Sequence, residues 1–315
     1  MVLYIDKENL IELVRSLKKA GNAEFSEYSA LVRKNMDIHY NFPKDDIKAN
    51  EELSLWFSML GSGIGGTNEF CPPEEVKPER PMKANFYNSL GSNDRSAIFF
   101  LNDEAKCTAA AEKRCVIVSK IGDELNKLKE VFDIDNNGEI LAYQIKDWCT
   151  YLPQVPLSDI IICDNHYFKD KRVYDANDNE LIRTLSSIPQ KAPVNVVIIL
   201  KEKEVDHQLD LATEQVKIKE IVKKASGSTQ STVTILTTYS THDRSLITNY
   251  YRIKQGCSFH LKENGIKKDV STEVKTHAVR KNHEFTSALL AEYQKIAYNP
   301  VNCYGDKVSN YLKFK

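Results

Sequence analysis

The chain has 315 residues with 43 basic and 44 acidic side chains, so its formal charge is −1 at pH 7. This balance excludes a uniformly basic nucleic-acid coat, and a hydrophobic fraction of 42% excludes a disordered or fibrous chain. The length accommodates two domains of ordinary size. No apolar run reaches the roughly 18 residues of a membrane span, and the start is too charged for a signal peptide, so we expect a cytoplasmic protein.

The first 150 residues predict a mainly helical accessory domain of helical or α+β type. KENLIELVRSLKKA follows Asp6 and has apolar residues at helical spacing. EFSEYSALVRKNM, DIKANEELSLWFSML and GDELNKLKEVF are further helix candidates, whereas AIFFLN and RCVIVSKI resemble short buried strands. The sequence does not indicate what this domain does.

A glycine-rich segment, GSGIGG at 61–66, invites comparison with phosphate-binding loops. Such a loop follows a strand and ends in Gly-Lys-Ser or Gly-Lys-Thr, because the lysine and hydroxyl hold phosphate and magnesium. Here a predicted helix precedes the glycines and Thr67-Asn68-Glu69 follows them. A connector is therefore favoured over nucleotide binding.

DIDNNGEILAYQ carries part of a calcium-loop pattern. Asp133, Asp135 and Asn137 match the first three ligand positions and Gly138 the sharp turn, but Gln144 replaces the bidentate glutamate. We therefore favour an Asn-Asn-Gly turn over a calcium site. The seven cysteines form no CxxC pair, which favours reduced thiols over a zinc site or disulfides. No metal and no cofactor are expected.

From Leu157 the sequence alternates apolar strands with amphipathic helices. SDIIICDNHYF, VNVVIILK and STVTILTTYS predict buried strands, with helices in NELIRTLSSI and 207–227 between them. RSLITNYYRIK predicts two more strands and HEFTSALLAEYQKIA a closing helix. This order predicts an α/β sandwich with a mixed sheet over 157–315, so the chain as a whole belongs to the α/β class, with a domain boundary near 150–156.

The charge is divided unevenly between these two parts. Residues 1–150 carry 25 acidic and 19 basic side chains, a net of −6, while residues 151–315 carry 19 and 24, a net of +5. Most of the excess lies in 241–283, where nine cations face four anions. A local positive field favours a phosphate-bearing ligand, although a solvated face or a contact with an acidic partner explains it equally well.

THDRSLITNYYRIKQGCSF contains the candidate phosphate site. His242, Arg244, Asn249 and Gly256-Cys257 follow the spacing His-x-Lys-x4-Asp-x6-Gly-Ser, so the segment resembles the phospholipase D superfamily motif. In that superfamily the histidine attacks phosphorus and the lysine neutralises a phosphate oxygen. The resemblance implies that His242 stands at the nucleophile position, that Arg244 grips phosphate in place of lysine, and that Asn249 replaces the aspartate. These three residues are the predicted catalytic set.

Within that superfamily, residues 157–300 resemble one subgroup more closely, the C-terminal domain of ESCRT-associated MIT-domain proteins. That subgroup also carries His-Asp-Arg, has no established phosphodiesterase activity and binds acidic membrane lipids. Related domains occur in bacterial defence and mobile-element proteins. The resemblance therefore implies a phospholipase D-like domain that is non-catalytic or weakly active and binds phosphodiesters.

Three functions stay open at this point. We favour a phosphodiester-binding module, with nucleic acid ahead of lipid. The alternatives are a metal-independent nuclease that pairs two copies of His242 across a homodimer, and a scaffold subunit of a larger complex; a homodimer is expected. The predicted ligand-binding residues are His166, which ends a buried strand, and the cations Lys254, Lys267, Lys268, Arg280 and Lys281. Tyr250, Tyr251 and Phe259 are the aromatic candidates for base stacking in this region.

Overall fold

The chain divides into two units, Met1–Asp133 and Ile134–Lys315, and each has a β-sheet with helices. The α/β class expected from the sequence is confirmed. The computed structural model describes all residues except 1, 41, 62–69, 72–96, 112–116, 133–138, 173, 175–178, 188–191, 240–243, 264–265, 268–271 and 280–282. The glycine-rich segment beyond Gly61 and the start of the calcium-like loop therefore lie outside the described residues.

The first unit is rich in helix, as predicted, but its helices accompany a parallel sheet that the sequence reading did not expect. The strands are β1 (Val2–Ile5), β2 (Asp37–Tyr40), β3 (Phe70–Cys71), β4 (Ala97–Leu101) and β5 (Ile117–Lys120), in the order β3-β2-β1-β4-β5. Every neighbouring pair is parallel. The helices are α1 (Lys7–Ala20), α2 (Asn22–Asn35), α3 (Lys44–Ala49), α4 (Glu51–Gly61), α5 (Glu104–Ala111) and α6 (Glu124–Phe132).

The second unit is built on an eight-stranded mixed sheet. Its strands are β6 (Glu139–Leu141), β7 (Asp159–Cys163), β8 (Asn195–Lys201), β9 (Thr232–Thr238), β10 (Ser245–Thr248), β11 (Tyr251–Gln255), β14 (Glu273–Ala278) and β15 (Asn302–Gly305). β12 (Lys262–Glu263) and β13 (Ile266–Lys267) form a separate two-stranded ribbon. The helices are α7 (Trp148–Tyr151), α8 (Glu180–Ser187), α9 (Leu211–Ser226) and α10 (His283–Tyr298).

The strand order β15-β9-β8-β7-β10-β11-β14-β6 reverses at β7. On one side of β7, β8 and then β9 follow in the sheet, and all three strands are parallel. On its other side lie β10 and then β11, each antiparallel to the strand before it. The apolar runs of these strands are buried, because both faces of a central strand are covered. Leu289 and Tyr293 of α10 join one core cluster with Ile161 and Ile199. The fold thus matches the strands and helices predicted after Leu157.

The structure places the division of the chain earlier than the sequence indicated. β6 pairs with β14, so that Ile140 lies opposite Val274. Nε1 of the buried Trp148 donates to the Phe259 carbonyl oxygen at 3.2 Å, a contact between residues 111 positions apart. Residues 139–156 therefore belong to the second unit. Partners this far apart leave no local signal in the sequence.

A C-terminal segment fastens the amino end of β7. The buried Asp159 accepts hydrogen bonds from the Ser309 hydroxyl at 2.8 Å and from the Asn310 backbone N–H at 2.9 Å. Asn195 at the start of β8 donates to the same carboxylate at 3.2 Å. The side chain of Leu312, two residues beyond Asn310, is buried in the core cluster that contains α10. Residues 309–312 are thus part of the fold of the central sheet.

Among the described residues, no helix is both long and apolar enough to cross a membrane.

Candidate phosphate-binding site

The candidate site lies where the strand order reverses around β7. Cys163, the last residue of β7, pairs with Ser245 of β10 on one side and with Ile199 of β8 on the other. The residues after β7, β8, β9 and β11 and the residue before β10 therefore share one side of the sheet, which we call the carboxyl edge. In open α/β sheets, such a reversal at the carboxyl ends of parallel strands is where ligands bind.

Asp164 forms the base of this edge, immediately after β7. Its carboxylate is fully buried and accepts hydrogen bonds from the Ser258 hydroxyl at 2.7 Å and the Phe259 N–H at 2.9 Å. It also accepts from the backbone N–H of His166 at 2.9 Å. Asp164 therefore ties the end of β7 to the loop after β11. The sequence reading assigned it no role, although a carboxylate that ends an apolar strand is a usable signal.

Arg244 lies directly before β10 and is held by the opposite hairpin strand. Its Nη1 donates to the carbonyl oxygen of Gly256, and its own carbonyl oxygen accepts from the Gln255 N–H at 3.2 Å. Its Nε is buried without a partner in the described part of the chain. No described carboxylate forms an ion pair with Arg244. The guanidinium is thus oriented by protein contacts while most of its five donors stay available to an anion.

His166 is the titratable neighbour of Arg244. Burial lowers its pKa from the ordinary 6.5, and the positive charges of Arg244 and Lys169 lower it further, against the opposing effects of Asp164 and Glu204. Its Nδ1 lies 4.0 Å from the Glu204 carboxylate, and its side chain is 28% exposed. At pH 7 we therefore expect a neutral imidazole beside a permanent cation, able to donate or accept a hydrogen bond.

A cleft of about 540 Å³ adjoins His166 through Glu204. Glu204 lies 3.4 Å from the Lys169 ammonium, whose hydrogen bond is the main cause of its lowered pKa. The lining carries both signs of charge: Lys169, Lys171, Arg172 and Lys203 against Asp170, Glu204 and Asp206. The cleft extends the polar surface of the carboxyl edge beyond β8.

The structure separates Asn249 from Arg244, the other described member of the predicted catalytic set. Asn249 follows the far end of β10, where its side-chain oxygen accepts from the Ser158 N–H at 3.1 Å and its amide donates to the Pro156 carbonyl at 3.4 Å. It is buried there and lies at the end of the sheet opposite Arg244. Because a four-residue strand separates them, Asn249 fixes the segment that leads into β7 and does not reach the carboxyl edge.

The remaining predicted site residues divide between described and undescribed parts of the chain. Lys254 is exposed and pairs with Ser245 at the carboxyl edge, so it joins Arg244 and His166. Lys267 belongs to the ribbon strand β13. His242, Lys268, Arg280 and Lys281 lie outside the described residues.

The aromatic residues at the edge differ from those expected. Tyr250, Tyr251 and Phe259 are all buried, so none offers a ring face to a ligand. Tyr239, which follows β9 at the carboxyl edge, is 74% exposed. Sequence reasoning missed it because Tyr239 lies just before the positively charged window on which that reasoning concentrated.

The first unit has a crevice of its own. Its strand order reverses between β1 and β4, as it does in dinucleotide-binding sheets. A cleft of about 420 Å³ lies there, lined by α1, Asn102 and the end of β5. One residue, Asp6, lies between β1 and α1, and its side chain caps the helix by accepting from the Asn9 N–H. The junction contains no glycine, and the carboxylates of Asp6 and Glu8 repel a pyrophosphate, so this crevice lacks the features of a dinucleotide site.

No protein-family model matches the chain, and no curated protein matches it. Within the described residues, no three His, Cys, Asp or Glu side chains are grouped to hold a metal ion. The function proposed below therefore depends on the geometry of the carboxyl edge.

Proposed function

We propose that the second unit is a phospholipase D-like domain that binds phosphodiester ligands, nucleic acid foremost, through Arg244. The observation that carries this proposal is the guanidinium of Arg244, fixed by the Gly256 carbonyl at the reversal point of the sheet and unpaired with any described carboxylate. A planar, permanently charged guanidinium matches two phosphate oxygens at once. His166 and Lys254 add a hydrogen-bonding ring and a second cation at the same edge.

Binding without efficient turnover agrees with the residues at this edge. The superfamily mechanism needs two histidines, a lysine and a structural aspartate, and the chain carries one motif with arginine and asparagine at the latter two places. His166 lies at the described carboxyl edge. Its backbone N–H donates to Asp164 in the loop after β7, and its ring lies beside the Glu204 carboxylate. The proposal is therefore a binding module with weak or absent phosphodiesterase activity.

The test compares Arg244→Gln with Arg183→Gln, an exposed arginine of α8, as a charge-matched control. Binding of a fluorescent single-stranded oligonucleotide and of phosphatidylserine vesicles is measured over a salt series. We expect Arg244→Gln to weaken binding by at least about tenfold, because a hydrogen bond to a charged group contributes roughly 1.5–3 kcal/mol. The salt slope should fall by about one. Equal affinities for both variants would contradict the proposal.

A cleavage assay separates binding from catalysis. The same oligonucleotide is incubated with the protein in EDTA, since phosphohistidine chemistry needs no metal. We expect no turnover above background in either the natural protein or His242→Ala. Cleavage that disappears in His242→Ala would instead favour the nuclease.

A further inference from the structure

We propose that the ligand of the carboxyl edge is single-stranded nucleic acid and that Tyr239 is the surface on which one of its bases stacks. The inference rests on the proposed function, because Arg244 supplies the phosphate contact. It adds a second contact of different chemistry, which only a ligand with aromatic bases can use. A lipid headgroup offers the phosphate but no ring.

Tyr239 is the most exposed of the large apolar side chains that the structure describes. It is 74% accessible, whereas the next, Val216, is 57% accessible on the surface of α9. Within the described residues its ring has no aromatic neighbour and its hydroxyl no hydrogen-bond partner. A tyrosine has only two side-chain torsions to fix, so an open ring of this kind binds a base at small entropic cost.

The position of Tyr239 relative to Arg244 follows from the register of the sheet. Tyr239 comes directly after Thr238, which pairs with Lys201 at the end of β8. Arg244 comes directly before Ser245, which pairs with the last residue of β7. β9 and β10 are separated by β8 and β7, so the backbones at Tyr239 and Arg244 lie about 14 Å apart across the sheet, given a spacing of about 4.8 Å per strand. An extended strand of a few nucleotides covers this span.

The charges between the two residues favour a ligand that does not depend on charge alone. Lys201 ends β8, between the strands that carry Tyr239 and Arg244. Lys169, in the loop after β7, is paired with Glu204 at 3.4 Å, which neutralises part of its charge. Stacking on Tyr239 adds affinity that does not depend on the charge of the phosphates. In a duplex the faces of the bases are covered by their neighbours, so this contact requires a single strand.

The experiment uses the full chain and two probes with identical phosphates: a single-stranded oligonucleotide and the same backbone with abasic positions throughout. The variants are Tyr239→Ala, Tyr239→Phe and, as control, Phe285→Ala, whose exposed ring already lies 4.2 Å from the Arg252 guanidinium carbon. We expect Tyr239→Ala to weaken binding of the oligonucleotide about fivefold or more and to leave abasic binding unchanged. Tyr239→Phe and Phe285→Ala should bind both probes like the natural protein.

Arg244→Gln, measured beside these variants, distinguishes the two proposals. If it weakens binding of both probes and Tyr239→Ala weakens neither, the phosphate site stands and the stacking inference is overturned. If Arg244→Gln changes nothing, the proposed function itself fails. Phosphatidylserine vesicles bound as tightly as the oligonucleotide, with no effect of Tyr239→Ala, would identify a lipid ligand and overturn the inference. Because Tyr239 is exposed, its replacement leaves the core intact.

Discussion

The negative charge of Asp159 destabilises the folded state. This residue begins β7 and is buried, and burial raises its pKa from 3.8 to about 6 despite the hydrogen bonds it accepts from Ser309, Asn310 and Asn195. A raised pKa in the folded state means that folding favours the protonated acid. Its contribution to stability is therefore fully present below about pH 4 and is lost as the pH rises through about 6.

We expect the free energy of unfolding of the natural protein, relative to Asp159→Asn, to fall by about 2 kcal/mol between pH 4 and pH 7. Urea titrations at pH 4, 5, 6 and 7 measure this difference directly. Asp206→Asn is the control, because backbone N–H groups of Gln208 and Lys171 lower the pKa of Asp206 below 3.8, so that its contribution is lost only below about pH 4 and should change little between pH 4 and pH 7. A difference for Asp159→Asn that does not change with pH would contradict the assignment.

Single residues also show what local sequence can and cannot specify about the site. His166 and Arg244 both lie at the carboxyl edge, and each borders a strand with a clear apolar pattern; their predicted roles in binding and catalysis stay predictions. Asn249 was grouped with them by motif spacing, but the four residues of β10 carry it to the other end of the sheet. The ring of Tyr250 is buried and that of Tyr239 is exposed. This difference in exposure depends on where each strand ends in the folded sheet.

At the scale of elements, the turn after β11 positions Arg244. Gly256 follows β11, and its carbonyl oxygen accepts the Arg244 hydrogen bond. A Cβ added at Gly256 would lie 2.5 Å from Cγ2 of Thr272, while Cβ of Thr272 would be 3.9 Å away. The absence of a side chain therefore allows the turn to approach the segment before β14 closely.

Gly256→Ala should accordingly displace the Gly256 carbonyl and weaken oligonucleotide binding severalfold, in the same direction as Arg244→Gln. Thr272→Ser removes Cγ2, the atom that clashes, so the double variant should recover most of the affinity. Fluorescence anisotropy on the four proteins of this cycle provides the measurement. Thr272→Ser alone should bind normally, and a double variant as weak as Gly256→Ala would show that the turn acts through another contact.

Elements were predictable in proportion to the length of their apolar runs. β7, β8 and β9 each contain four or more consecutive buried residues and were found from the sequence. β1 and β2 have four residues each, and β1 is followed at once by a strong helix, so the parallel sheet of the first unit was missed. β6 has three residues and acquires its strand character from β14, which comes more than 130 residues later.

For the whole molecule, the division at residue 134 has a measurable consequence. A fragment 134–315 retains β6 and the buried Trp148, whereas a fragment 157–315, cut at the boundary indicated by sequence, lacks both. Loss of a buried tryptophan costs about 3 kcal/mol or more. We expect the shorter fragment to unfold about 10 °C lower in a calorimetric scan. Equal midpoints would show that residues 139–156 do not contribute to the core.

The C-terminal segment also constrains the order of events during synthesis. The carboxylate of Asp159 cannot accept its hydrogen bond from the Asn310 backbone N–H until Asn310 is synthesised, 151 residues later. On a ribosome that adds about 5–20 residues per second, the central strand of the second unit stays without this contact for about 8 to 30 seconds. Once β8 and β10 have been synthesised they can pair with β7, but Ile161 still lacks the cover of Leu312 in the core cluster. Nascent chains stalled before residue 309 should therefore be the form most sensitive to proteases and most dependent on chaperones.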